Sequence, residues 1–121
     1  MWRRGIAGLI GLMTVGNGGT MLLDGAGWYG RVPGVADTGP YNPHFVADIG
    51  LAFIAAGGAL LARAWRPSWW PAGVAGAAFL AGHAGLHLIG IGESHHQAFE
   101  VALIVVPALA ALWAALPEKT A

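Results

Sequence analysis

Four long apolar stretches, separated by short polar ones, dominate the hydropathy pattern of this chain. They cover about residues 5–23, 44–64, 68–92 and 95–116, and each contains at most one acidic residue. About 20 apolar residues suffice to cross roughly 30 Å of hydrocarbon as a helix. The pattern therefore predicts an all-α fold, a transmembrane four-helix bundle that forms one integral membrane domain over residues 1–121. Pro107 predicts a kink or a local loosening in the last helix.

The first apolar stretch follows "MWRR" and could also be interpreted as a signal peptide. It is long, however, it contains Asn17, and no clear small-x-small cleavage motif follows it. We therefore expect a retained helix.

The basic residues predict the orientation of the bundle. Arg31 lies in the first long connection, whereas the other five lie on the opposite side: Arg3, Arg4, Arg63, Arg66 and Lys119. Loops rich in Lys and Arg stay in the cytoplasm. We therefore expect both termini to be cytoplasmic, with the protein in a bacterial inner membrane.

Composition narrows the range of function. The 121 residues are 56% hydrophobic and 10% charged, and the formal net charge is zero, so the basic surface of a nucleic-acid-binding protein is missing. The chain has no cysteine, which leaves histidine and carboxylate as the plausible metal ligands. The expected surroundings are the lipid bilayer, with either a homo-oligomer or a larger membrane complex as the assembly.

The stretch "TGPYNPHFVAD" contains the start of the second long helix. Asn42 is a good N-cap, Pro43 suits the first helical position, and His44 follows it. "SHHQ" predicts a similar start for the last helix, with Ser94 as the N-cap and Gln97 as its capping-box partner.

Histidine and acidic residues recur at a spacing of four. His44 precedes Asp48, and His96 precedes Glu100, while "HAGLH" places His83 and His87 at the same separation. Residues four apart share one helix face, so we expect each pair to point into the bundle.

The predicted depths bring these side chains together near the non-cytoplasmic face. At about 1.5 Å per residue, Asp48, Glu100 and His87 come out nearly level, with His83 deeper. Ionisable groups inside a membrane are costly and commonly functional. The predicted metal-ligating residues are His44, Asp48, His83, His87, His96 and Glu100, with Asn17, Asp24 and Asn42 as supporting polar groups.

Imidazole and carboxylate together favour a transition metal ion such as zinc, iron, copper or manganese. Asp48 or Glu100 could then act as a general base on a small apolar substrate, although whether the protein is an enzyme stays open. Two alternatives remain. One is a haem with His83 or His87 as axial ligand. The other is a non-enzymatic membrane subunit in which the same residues form a proton relay or a helix contact.

Three motifs together resemble an uncharacterised family of small four-helix bacterial integral membrane proteins. They are "GWYGRVPGV", "TGPYNPHFVADIG" and "GHAGLHLIG", and the resemblance covers most of the chain. It implies the four-helix fold and carries no activity with it.

Overall fold

The computed structural model describes residues 1–118, and all the regular secondary structure in that range is helical, without a strand. The helices are α1 (Trp2–Leu23), α2 (Gly25–Arg31), α3 (Pro43–Trp65), α4 (Trp70–Gly90) and α5 (Gln97–Ala115). Short 3₁₀ turns cover Val35–Thr38 and Pro67–Trp69. The predicted all-α class is confirmed, with α1, α3, α4 and α5 long and apolar enough to cross a membrane.

The four long helices form an antiparallel bundle in which α1 packs on α3 and α5, and α4 packs on the same two helices. Its core is built mainly from aliphatic and small side chains, among them Ile10, Leu60, Leu80 and Ala111. Much of the apolar surface faces outward instead, including Leu9, Leu51, Leu86 and Leu109, which are each more than half exposed. This distribution suits a bundle whose outer surface meets an apolar medium.

The helix ends test the predicted start signals. Asn42 caps α3 as expected, because its side chain accepts a hydrogen bond from the Phe45 N–H at 3.1 Å. The predicted capping box at Ser94 and Gln97 is wrong, because α5 begins only at Gln97 and His96 is its N-cap. The Ser94 hydroxyl instead accepts a bond from the His96 N–H and donates one to Glu100.

Glycines bring the backbones of α1 and α3 into direct contact. A Cβ placed on Gly11 would lie 2.9 Å from the Gly57 carbonyl oxygen, and one placed on Gly57 would lie 2.7 Å from the Gly11 carbonyl oxygen. The same reciprocal contact recurs between Gly18 and Gly50. Seven residues separate the two contacts on each helix, which is the period of a left-handed helix pair. Small residues at such a crossing allow van der Waals packing that larger side chains would prevent.

Arginine side chains close the helix ends on the side that carries both termini. Arg63 is fully buried, and its guanidinium donates to the carbonyl oxygens of Ala115 and Leu116 at 3.3 Å. Arg4 donates to the Ala64 and Trp65 carbonyls at the end of α3, at 2.8 and 2.9 Å. A cation at a helix C-terminus satisfies unpaired carbonyls and complements the helix dipole. These arginines therefore hold helix ends together.

The loosening predicted at Pro107 takes the form of a wide turn. α5 is π-helical over Val101–Val105 and returns to α-helix at Val106–Ala115. Proline has no N–H for the preceding turn, and its ring would clash with the carbonyl four residues back. The π turn absorbs both defects without breaking the helix.

Adjacent glycines on α1 offer a direct test of the α1–α3 contact. We expect Gly18→Ala to destabilise the bundle by about 1–3 kcal/mol, because its methyl group would collide with the backbone of α3 at Gly50. Gly19→Ala is the matched control, since a Cβ there meets no atom of a neighbouring helix within 4 Å, and it should be neutral or stabilising by up to about 1 kcal/mol. Thermal unfolding in detergent, followed by circular dichroism, measures both. Equal losses for the two variants would contradict the contact.

Candidate functional site

Glu100 is the buried carboxylate of the bundle, with 7% of its surface exposed. It lies in the first turn of α5, where its Oε2 approaches the Nδ1 of His87 on α4 at 3.3 Å. Its Oε1 accepts a hydrogen bond from the Ser94 hydroxyl in the α4–α5 connection. Both carboxylate oxygens therefore have a partner, which is the requirement for keeping such a group away from water.

The two histidines of "HAGLH" continue the site toward the middle of α4. The rings of His83 and His87 lie one helical turn apart, with their centroids separated by 4.8 Å. His83 packs edge to face against Phe53 of α3 at 5.4 Å. Glu100, His87 and His83 thus form a row that runs inward from the α4–α5 connection.

A second ionisable contact lies at the outer end of this row. His96 approaches Asp37 with its Nε2 3.8 Å from Oδ2, while its backbone N–H bonds to Ser94. Asp37 belongs to the long connection between α1 and α3, where Gly34 takes a positive φ of 82° beside the His96 ring. The connection therefore reaches across to the start of α5, and His96 contacts Asp37 instead of pairing with Glu100 as the spacing suggested.

His44 and Asp48 do pair, but on the outside of the bundle. Their side chains lie 3.4 Å apart and are 89% and 57% exposed, so the predicted inward direction is wrong. The inward face of α3 is occupied by Val46, Gly50 and Phe53. Two residues along a helix correspond to about 200° of rotation, which turns His44 and Asp48 away from the core.

The predicted group of ligands, of which Asp48, Glu100 and His87 were expected at nearly the same depth, is accordingly divided. Asp48 and His44 both face outward from α3, so Asp48 does not meet Glu100 and His87. His96 contacts Asp37 in the connection between α1 and α3. Within residues 1–118, no three histidine, aspartate or glutamate side chains are grouped closely enough to hold a metal ion. His83, His87 and Glu100 are the predicted ligands that stay in one row.

The supporting polar residues fix the loop. Asn17 accepts a hydrogen bond from the Trp28 indole N–H at 2.9 Å, and this bond ties α2 to α1. Asp24 caps α2 through the Gly27 N–H and pairs with Arg31 at 2.9 Å. The hydrogen bond from the Arg31 guanidinium, together with that from Gly27, lowers the pKa of the Asp24 carboxyl. Among the described residues, neither Asn17 nor Asp24 hydrogen-bonds a histidine, so their predicted support of the ligands is not seen.

Sequence reasoning missed two polar contacts at this end of the bundle. Ser94 was expected only to cap a helix, yet its hydroxyl bonds the buried carboxylate. Asp37 carried no signal, because its partner His96 lies far along the chain. A spacing of four predicts pairs within one helix. Both of these contacts instead join a connection to α5 or to the residue before it, so the spacing gives no sign of them.

Two surface hollows lie at the other end of the bundle. One is lined by Arg3, Leu116, Pro117 and Glu118, and the other by residues of the first turns of α1. Neither includes a histidine or a member of the Glu100 row. The row of Glu100, His87 and His83 consists of side chains packed between α4, α5 and α3.

Comparison with known proteins adds no assignment, since no protein-family model, curated protein or solved structure matches the chain. The resemblance to a family of small four-helix membrane proteins therefore stays a prediction.

Proposed function

We propose that this chain is a small integral protein of a bacterial inner membrane whose His83, His87 and Glu100 form a proton relay. The relay begins near the non-cytoplasmic face and runs toward the middle of the bundle. In this reading the protein is a non-enzymatic membrane subunit, and Asp48 has no part in the relay because it lies on the outside.

The contact between His87 Nδ1 and Glu100 Oε2 is the observation that carries this proposal. A carboxylate within an apolar helix is expensive unless it has a partner, and rows of acids and histidines in membrane helices are typical of proton pathways. His87 retains 32% exposure of its side chain against 9% for Glu100, so the pair lies at the boundary between interior and surroundings. A pair at this boundary is suited to passing protons between the surroundings and the interior of the bundle.

The proton transfer follows from the chemistry of the groups. A proton bound to Glu100 passes from its carboxyl oxygen to Nδ1 of neutral His87, which leaves a carboxylate and an imidazolium. Release from the opposite ring nitrogen then returns His87 to its neutral form and hands the proton to His83 directly or through one water. Ser94 stabilises the carboxylate between transfers by donating its hydroxyl.

Topology provides the first test of this assignment, because the relay needs access from the non-cytoplasmic side. We expect both termini and Arg66 to be cytoplasmic, and Asp37 to lie outside, following the distribution of basic residues. Single-cysteine variants at positions 37 and 66, labelled in intact cells with a membrane-impermeant reagent, measure this directly. Labelling of both positions from outside would contradict the model.

Proton exchange at His83 provides the decisive test of the relay. If Glu100 delivers protons, Glu100→Gln should slow exchange between the His83 ring N–H and water by about 10²-fold, the lower end of what a positioned acid or base contributes. Nitrogen-15 NMR of the protein in micelles measures that rate. Asp48→Asn is the matched control, because it removes an outward carboxylate, and it should leave the rate unchanged.

The opposite result would identify a structural role. If Glu100 serves only as a helix contact, its replacement by glutamine loosens the α4–α5 interface and should leave His83 exchange unchanged or faster. Either outcome would overturn the relay, provided that circular dichroism shows the variant to be folded.

A metal site is the second candidate function. It is supported by the row of His83, His87 and Glu100, since two histidines and one carboxylate are a common ligand set. The two imidazoles lie edge to face, and the three side chains would have to converge to hold an ion. An ion bound there would displace the contact between His87 and Glu100, and Glu100 would then be a ligand or a general base in a metal-dependent or redox enzyme. Haem ligated by His83 or His87 is a variant of the same candidate.

Metal content separates this candidate from the relay. If a zinc, iron, copper or manganese ion is bound, elemental analysis of protein purified from metal-replete cells should give stoichiometric metal that His87→Ala abolishes and His44→Ala retains. A haem would add a Soret band that disappears on changing His83 or His87, whichever is its axial ligand. Folded, colourless and metal-free protein would eliminate both versions.

A further inference from the structure

The outer face of α3 carries a regular row of exposed residues, here named the α3 stripe. Its members are separated alternately by four and three positions: His44, Asp48, Leu51, Ala55 and Gly58. All five are exposed, and a Cβ built on Gly58 would meet no neighbouring helix or side chain of the described residues within 4 Å. This spacing is that of a helix face that packs along another helix.

Asp48 distinguishes this face from the outer faces of the other long helices. It lies in the second turn of α3 and is 57% exposed, whereas Glu100, the other carboxylate within the described spans, is buried against α4. Polar side chains inside a membrane almost always face a protein partner or water. His44 supplies one contact, at 3.4 Å, and more than half of the Asp48 side chain remains exposed on the outside of the bundle.

We propose that the α3 stripe is the interface with a second copy of this chain, related by a two-fold axis along the membrane normal. The proposal needs only insertion in a membrane and is independent of the proton relay. A two-fold axis places each stripe opposite itself, so that His44 and Asp48 of one copy meet the same pair of the other.

The His44–Asp48 pair of one chain is complementary in charge to the same pair of the second chain. His44 directs Nε2 toward Asp48 within the chain, which leaves Nδ1 for the carboxylate of the other copy. The resulting group contains two imidazoles and two carboxylates, so each acid gains a second histidine partner. A partner of different sequence would need a matching acid and base at the same depth, whereas a second copy supplies them by symmetry.

The remaining residues of the α3 stripe also suit a second copy of the chain as the partner. Leu51 is an exposed aliphatic residue one turn below Asp48, and Ala55 and Gly58 follow with little or no side chain. Small residues let two helices approach closely in a membrane, as Gly11 and Gly57 do within the chain. Polar pairing at the outer end and close backbone approach at the inner end therefore act along one continuous face.

Disulfide trapping tests this interface without any background mutation, because the chain has no cysteine. We expect Gly58→Cys to form a disulfide-linked dimer in oxidised membranes, since a symmetric contact brings the two Cα atoms to within about 7 Å. Ala78→Cys is the control, being exposed on α4 at a similar distance from the connection between α3 and α4. It should remain mainly monomeric.

Two further measurements make the result decisive. Leu51→Cys should also yield the dimer, and adding Asp48→Leu to Gly58→Cys should reduce the cross-linked fraction several-fold while leaving the helical circular dichroism unchanged. A product of different mass would show a different partner, equal cross-linking at Gly58 and Ala78 would show random collision, and no product at either α3 position would show an unpaired face. Each of these three outcomes would overturn the proposal.

Discussion

The backbone contact between α1 and α3 is the constraint on which the rest of the bundle depends. Gly11 packs against Gly57, and Gly18 packs against Gly50. In each pair the Cα of one glycine lies against the carbonyl oxygen of the other, so a side chain at any of these four positions would push the helices apart. In an apolar medium, no hydrophobic force compensates for such a loss, because lipid tails are as apolar as the side chains. The contact also fixes the rotation of α3, and this rotation decides which of its residues face α4.

The two ends of the bundle then use polar groups in different ways. At the end with both termini, Arg63 is buried against the last carbonyls of α5, and Arg4 bonds the last carbonyls of α3. At the other end, Glu100 is held between His87 and Ser94. Charges at the first end satisfy the backbone, whereas those at the second satisfy one another. The second end is therefore the place to look for function.

The candidate site could be predicted from the sequence only in part. The spacing of His83 and His87 placed them on one face of α4, and their rings do lie together. The acids at the same spacing were harder to interpret, because His44–Asp48 and His96–Glu100 look alike along the chain. In the structure one pair lies on the outside of α3, and in the other Glu100 turns to His87 while His96 turns to Asp37.

By itself the sequence determined the number of long apolar helices, the start of α3 at Asn42 and Pro43, and the loosening at Pro107. These features depend on local chemistry: apolar length, a side-chain cap and a missing N–H. Tertiary structure alone decided that Asp48 faces outward, that Arg63 is buried, and that Ser94 bonds a carboxylate rather than capping its helix. The physical reason is that a helix repeat relates residues of one helix to each other, whereas the rotation of each helix is set by the glycine and aromatic contacts it makes with its neighbours.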